Sequence, residues 1–318
     1  MLTDSKVMQK KVSYIFRKGG IVIALIALII FLGIKSSAFL TLGNFANIAV
    51  QVSSDLLIVI GTALVIMTGN IDVSIGSILA FSSVVAASLM PRIGCFPASP
   101  VALVVGAVLG MGNGLAVGLL KLDSFVVTLA SMVAIRALAY IYTKGYPVST
   151  VPEGYSVLGT GHVGGLPVPT ILAAGIFLLF VFIMRYTPFG RHVYATGDNE
   201  VAAIHSGINV KFVKIAVFTL NGLLASLAGL ILMARLMSGI PTIGGDVAFT
   251  AIAAVVMGGV SLSGGRGSLW GALIGILLLG TINNGLNLMR IQAFWQGFVK
   301  GVVIFLAILI DKMRGNSR

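Results

Sequence analysis

Apolar runs of membrane-crossing length recur along the whole chain, separated by short connections rich in glycine, proline and charge. A helix of about 20 apolar residues spans the hydrocarbon core of a bilayer. Runs near residues 20–34, 46–68, 73–90, 100–120, 125–142, 170–186, 212–235, 247–262, 268–288 and 295–311 predict ten such helices. The expected fold class is all-α and integral to the lipid bilayer, with residues 1–318 forming one transmembrane domain. Composition agrees, since 58% of the residues are hydrophobic and 9% charged, against about 25% charged in a soluble domain. No connection exceeds about 30 residues, too few for a separate nucleotide-binding or catalytic domain. The chain is not expected to be an enzyme, and energy for transport must come from a partner or an ion gradient.

The 21 Lys and Arg against 9 Asp and Glu give a net charge of +12. In a soluble chain this would suggest nucleic acid; here topology explains it, and no nucleic-acid partner is expected. With the N-terminus in the cytoplasm, Lys6, Lys10, Lys11, Arg17, Lys18, Lys121, Arg185, Arg191, Lys211, Lys214, Arg266, Lys312, Arg314 and Arg318 fall inside. Only Lys35, Arg92, Lys144, Arg235 and Arg290 fall outside, with Arg136 and Lys300 within spans. The positive-inside rule then places both termini in the cytoplasm. Residues 1–19 form a basic cytoplasmic segment; no small-residue cleavage site follows residues 21–34, so that run reads as an uncleaved span rather than a signal peptide. The single cysteine, Cys95, leaves no internal disulfide or cysteine metal cluster. His162, His192 and His205 show no metal-ligand spacing.

An internal repeat is visible. Phe45-x-x-Ile48-Ala49-Val50 recurs as Phe212-x-x-Ile215-Ala216-Val217, and Leu56-Leu57 as Leu223-Leu224. Asp72-Val73 matches Asp246-Val247, Asn113-Gly114-Leu115 matches Asn284-Gly285-Leu286, and Phe125-Val126 matches Phe298-Val299. Five spans separate the copies, residues 40–142 and 212–311, and an odd number of crossings inverts the second copy. Inverted repeats are a transporter architecture, because two similar packings on opposite faces provide two gates.

The most polar inside connection, residues 187–211, centres on Gly197-Asp198-Asn199-Glu200-Val201-Ala202-Ala203-Ile204-His205-Ser206-Gly207. Asp198 or Asn199 can cap a short helix that Gly207 stops in a left-handed conformation. This segment resembles the Glu-Ala-Ala loop of permease subunits of ATP-binding cassette importers, with Glu200, Ala202, Ala203 and Gly207 in the matching places. The likeness to the ribose-type monosaccharide permeases extends through Gly69-Asn70-Ile71-Asp72-Val73-Ser74-Ile75-Gly76-Ser77, Ala251 to Gly259, Ser263-Gly264-Gly265-Arg266-Gly267 and Asn283-Asn284-Gly285-Leu286-Asn287-Leu288. It runs from about residue 40 to the C-terminus. Glu200 to Gly207 is one residue longer than the usual loop, and no Leu-Pro follows it. The resemblance implies a 5+5 inverted-repeat permease like those of cobalamin-type importers in the bacterial cytoplasmic membrane. It would bind no cofactor itself. It would work as a homodimer, or with a related permease, between a cytoplasmic ATPase that uses ATP and an extracytoplasmic sugar-binding protein.

Leu262-Ser263-Gly264-Gly265 spells the signature of the ATPase subunits, yet this run lacks the Gly-Lys-Ser/Thr of a phosphate loop and reads as a turn between spans. Charged residues within spans face protein or water, so Asp55, Arg136 and Lys300 are either pathway groups or inter-helix partners. Asp55, Asn70, Asp72, Asn221, Asp246 and Asn284 are the candidate pathway residues, the Gly69 to Asp72 and Gly239 to Asp246 segments occupying equivalent repeat positions as helix breaks. Neutral Ser, Thr and Asn groups in the spans suit a hydroxylated solute, and they also glue membrane helices, as do the pairs Gly106/Gly110 and Gly271/Gly275. An ion-coupled secondary transporter and a non-transporting scaffold stand as the alternatives.

Overall fold

The computed structural model describes residues 20–305 except 293, 300, 303 and 304. The basic segment 1–19, Lys300 and the cluster at Lys312, Arg314 and Arg318 lie outside the described residues, as does most of the tenth expected span, of which 294–299 is helical.

Seven helices are long and apolar enough to cross a membrane: α2 Leu42–Met67, α3 Ile75–Ile93, α4 Cys95–Gly118, α5 Ser124–Thr143, α7 Val168–Tyr186, α10 Val210–Leu236 and α12 Leu269–Leu288. Two apolar helices are shorter, α1 Gly20–Lys35 and α11 Val247–Met257. Their starts are chemically marked. The side chains of Thr41, Asp123, Asn209 and Ser268 accept hydrogen bonds from first-turn backbone N–H groups of α2, α5, α10 and α12, satisfying donors that a helix cannot pair internally. The expected span 247–262 is cut to 11 residues, about 16 Å. It stops at Gly258-Gly259, where Gly259 takes a φ of +85° and the N–H of Val260 returns to the Val255 carbonyl.

α2, α3, α10 and α12 form the interior of the bundle, 83%, 67%, 61% and 61% buried along their most apolar stretches, whereas α5 buries only 17%. Glycine sets how close the helices come. Gly106, Gly110 and Gly114 of α4 seat against the α10 backbone at Gly222, Phe218 and Ile215, and Gly271 and Gly275 of α12 against Gly258 and the Ala254 turn of α11. Any side chain there would overlap a facing carbonyl or Cα, which is how small residues serve helix packing in lipid.

The connection from α5 to α7 carries a short 3-10 turn, Glu153–Ser156, and α6 Val157–Thr160. It also departs from the all-α expectation: Val148 bridges Gly239 antiparallel, and β1 His162–Val163 and β2 Leu166–Pro167 form an antiparallel hairpin. Its tip is Gly164-Gly165, both at positive φ, as a two-residue hairpin turn demands. Between α7 and α10 lie α8 Pro188–Asp198 and α9 Glu200–His205.

Candidate functional site

α9 has the local form expected of the 187–211 connection. The Asn199 side chain accepts from the Ala202 N–H at 2.9 Å, Gly207 sits at φ +80°, and the N–H of Ile208 returns to the Ala203 carbonyl. Val201 and Ile204 are 64% and 55% exposed, while Ala203 is 3% exposed. Ala203 therefore packs against its own chain, and the free apolar surface belongs to Val201 and Ile204. The Glu200 carboxylate forms an ion pair with Lys214 of α10 at 2.8 Å, so α9 is fastened to a central helix.

α8 was not expected. Its signal is Pro188 at the first helical position, where the missing N–H and fixed φ are harmless, with Val193 fully buried beneath it. α8 carries the loop into contact with two other parts of the chain. A Cβ on Gly197 would overlap the Met67 carbonyl at the end of α2, and one on Gly264 would lie 2.8 Å from the Gly197 carbonyl. Met67 O also accepts from the Gly265 N–H at 3.0 Å. The Tyr194 hydroxyl donates to the Gly267 carbonyl at 3.1 Å, and burial pushes its pKa up, which keeps the donor protonated. The end of α2, the end of α8 and the 263–267 turn thus form one junction with backbone touching backbone.

Deeper in the bundle, the segment 69–74 breaks the path from α2 to α3. Asp72 is buried; one carboxylate oxygen accepts from the Ser74 N–H and hydroxyl at 2.8 and 2.6 Å, and the other from Asn221 of α10 at 2.9 Å. Asn113 of α4 donates to the Ser74 hydroxyl at 2.9 Å and accepts from Ser131 of α5. Four elements meet through that network. Asn70 spends its amide on Thr68. Asn284 exchanges two hydrogen bonds with Asn44, at 3.0 and 2.8 Å, well away from Asp72 in the chain. Asp55 borders a small cavity with Val247 and Thr250 at the start of α11, and Asp246 is exposed at that same helix start. The six candidate pathway residues therefore do not form one cluster: Asp72 pairs with Asn221 and shares its break with Asn70, Asp55 and Asp246 both lie by the start of α11, and Asn284 pairs with Asn44.

One face of α5 organises both breaks. Ser124 accepts from the Ile71 N–H, Thr128 from the Val73 N–H, and the Met132 carbonyl from the Ser77 hydroxyl. Arg136 then donates through Nη1 to the Pro241 and Ile243 carbonyls at 2.6 and 2.7 Å. The spacing 124, 128, 132, 136 is the i, i+4 row of a helix; Ser124, Thr128 and Arg136 act through side chains and Met132 through its carbonyl, and only Arg136 stands out in the sequence, as a charge within a span. The second break, 239–246, meets the first turn of α3 just past the first break, since a Cβ on Gly76 would overlap the Gly244 carbonyl. Among the described residues no group of three or more His, Cys, Asp or Glu could hold a metal.

Seven helices of membrane-crossing length around two backbone breaks define the class as a polytopic membrane protein, an arrangement that suits passage of a solute. The model of the permease component of branched-chain amino acid transport systems matches residues 44–308, and the chain belongs to that permease family. Over 318 aligned positions it is 43% identical to the ribose import permease protein of Bacillus subtilis, covering 96% of this chain and 97% of that one. It is 34% identical to the L-arabinose ABC transporter permease protein of Azospirillum brasilense (96% and 90% covered) and 33% to the xylose transport system permease protein of Haemophilus influenzae (86% and 90%). No solved structure matches the chain.

Proposed function

We propose that the chain is the membrane-spanning subunit of an ATP-binding cassette importer for a pentose or similar monosaccharide. The single observation that carries this reading is the 43% identity, along 96% of this chain, with a ribose import permease; the family is described by branched-chain amino acid transport, whereas these relatives are permeases for ribose, L-arabinose and xylose. A sugar-binding protein delivers the solute from outside. It crosses between this chain and a second permease copy, in a 5+5 inverted arrangement with both termini cytoplasmic. The position of α2's end and α10's start at the same junction with α8 and α9 supports that inversion, because matched helices then run in opposite directions.

Coupling runs through Gly197, Asp198, Asn199, Glu200, Ala202, Ala203 and Gly207. Val201 and Ile204 offer apolar contact to a groove on the ATPase. When ATP draws the two ATPase subunits together, α9 moves as a capped rigid piece; Glu200 pulls on Lys214 and so on α10, whose Asn221 holds Asp72 at the break before α3. The junction of Met67, Gly197 and Gly265 carries the same movement to α2. The test is uptake of labelled ribose into vesicles bearing the chain, its ATPase and its binding protein. Uptake that needs ATP and all three components supports the reading, whereas ion-driven uptake by the chain alone makes it a secondary transporter.

A further inference from the structure

A cavity of about 420 Å³ lies between the start of α3, the outer half of α5 and the 239–246 break, lined in part by Ser77, Met132, Arg136, Tyr140, Gly244 and Gly245. Its volume falls in the range of small-molecule sites, about 300–1,000 Å³. Its position is unusual for a charge. Arg136 stands twelve residues into α5, about 18 Å along the helix, and a guanidinium at such depth faces water or protein rather than lipid. The protein takes only part of it. Nη1 donates to the Pro241 and Ile243 carbonyls, and among the described residues Arg136 forms no ion pair and neither Nε nor Nη2 has a hydrogen-bond acceptor. The fork is thereby fixed in orientation with donors left over, in a cavity that Tyr140, 40% exposed, also lines.

We infer that this cavity is a solute-binding site for one ring of a neutral polyhydroxylated solute, with Arg136 as its specificity-determining residue. The free guanidinium donors meet oxygens of adjacent hydroxyls, and the Tyr140 ring takes the C–H face of the sugar, an apolar body with a polar tip. The free Nε–Nη2 edge pairs equally well with two hydroxyl oxygens or with a carboxylate, so the choice of a hydroxylated solute over an amino acid comes from the monosaccharide relatives, and leucine is the contrasting solute in the test. The same contact makes the site sensitive to movement, because Arg136 holds the second break and Ser77 belongs to the helix that follows the first. This assignment rests on the monosaccharide reading above.

Gly245 supplies the test. A Cβ there meets nothing within 4 Å and its φ lies outside the left-handed region, so Gly245→Leu fills the cavity without straining the backbone, unlike any change at Gly76 or Gly244. In vesicles with ATPase and binding protein, the control Gly112→Ala, at an open position on α4 away from the cavity, should take up ribose at close to the wild-type rate. Gly245→Leu should lose about tenfold or more, the effect of a bulky side chain in an occupied, close-packed site, with ATPase binding and thermal midpoint unchanged. In a Cys95→Ser background, a charged water-soluble thiol reagent should modify Gly245→Cys, and ribose should slow that reaction while leucine does not. Arg136→Lys should remove the protection by ribose while the thiol still reacts. Wild-type rates for Gly245→Leu, a thiol the reagent cannot reach, or protection by leucine equal to that by ribose would each overturn the site while leaving the importer reading intact. A wild-type complex that moves no monosaccharide overturns that reading, and the site with it.

Discussion

Gly112 and Gly114 lie two residues apart on α4, and alanine at each should move stability in opposite directions. A Cβ on Gly112 meets nothing within 4 Å, whereas one on Gly114 lies 2.8 Å from the Ile215 Cα and 3.1 Å from both the Ile215 carbonyl and the Phe218 Cβ. Carbon atoms rest at about 3.5–4.0 Å, so α4 and α10 must part by roughly 0.7–1.2 Å, and a gap near 1 Å forfeits about a quarter to a half of each neighbouring contact's attraction. Overpacking of this kind costs about 1–3 kcal/mol. Alanine also returns about 0.5–1 kcal/mol of backbone entropy in a helix interior, but both variants receive it, so their difference isolates the packing effect. Gly112→Ala should match or exceed the wild type in apparent thermal midpoint, and Gly114→Ala should fall several degrees below Gly112→Ala, at about 2–4 °C per kcal/mol. The assay is intrinsic fluorescence on detergent-purified protein at one fixed scan rate. Equal midpoints, or Gly114→Ala above Gly112→Ala, would refute the claim that glycine sets the distance between α4 and α10.

Replacing both Val201 and Ile204 with Asp should release the ATPase on co-purification while the chain still inserts; retention of stoichiometric ATPase would remove α9 as the docking helix. Ala203→Asp should instead lower the thermal midpoint, because Ala203 is buried in its own chain. Glu200→Lys should leave stability within about 1 kcal/mol, as exposed ion pairs do, yet reduce ATP-driven uptake, and adding Lys214→Glu should restore part of the rate; no rescue would separate the pair from coupling. Asp72→Ala strips partners from Ser74 and Asn221 and should cost about 1–3 kcal/mol for the buried groups left unpaired, read as folded yield. In a Cys95→Ser background, Gly43→Cys and Lys211→Cys, at matched helix starts, should react with impermeant reagents from opposite sides of the membrane; reaction from one side would end the inverted repeat.

The spans near residues 125–142, 212–235 and 268–288 match α5, α10 and α12 within two residues at each end, because apolar run length and capping residues are local signals. The Asn199 cap and the Gly207 stop were legible for the same reason. What the sequence hid is non-local. Arg136 shows as a charge in a span, but its acceptors at 241 and 243 lie over 100 residues away, and no periodicity places them together. Glu200 reads as a group for a partner, and its pairing with Lys214 appears only once α9 folds back on α10. α11 reads as full length because Val260 and Leu262 are apolar; the break at Gly258-Gly259 sets its end. Asp72 and Asp246 look equivalent by repeat, yet one is buried among donors and the other exposed.

The central claim is most directly tested by reconstituting the chain with its candidate ATPase and sugar-binding protein and following labelled ribose into vesicles after ATP is added. The account predicts accumulation that stops when ATP, the ATPase or the binding protein is left out, and that Val201→Asp with Ile204→Asp abolishes. Accumulation by the chain alone under a proton or sodium gradient, indifferent to ATP, would contradict it.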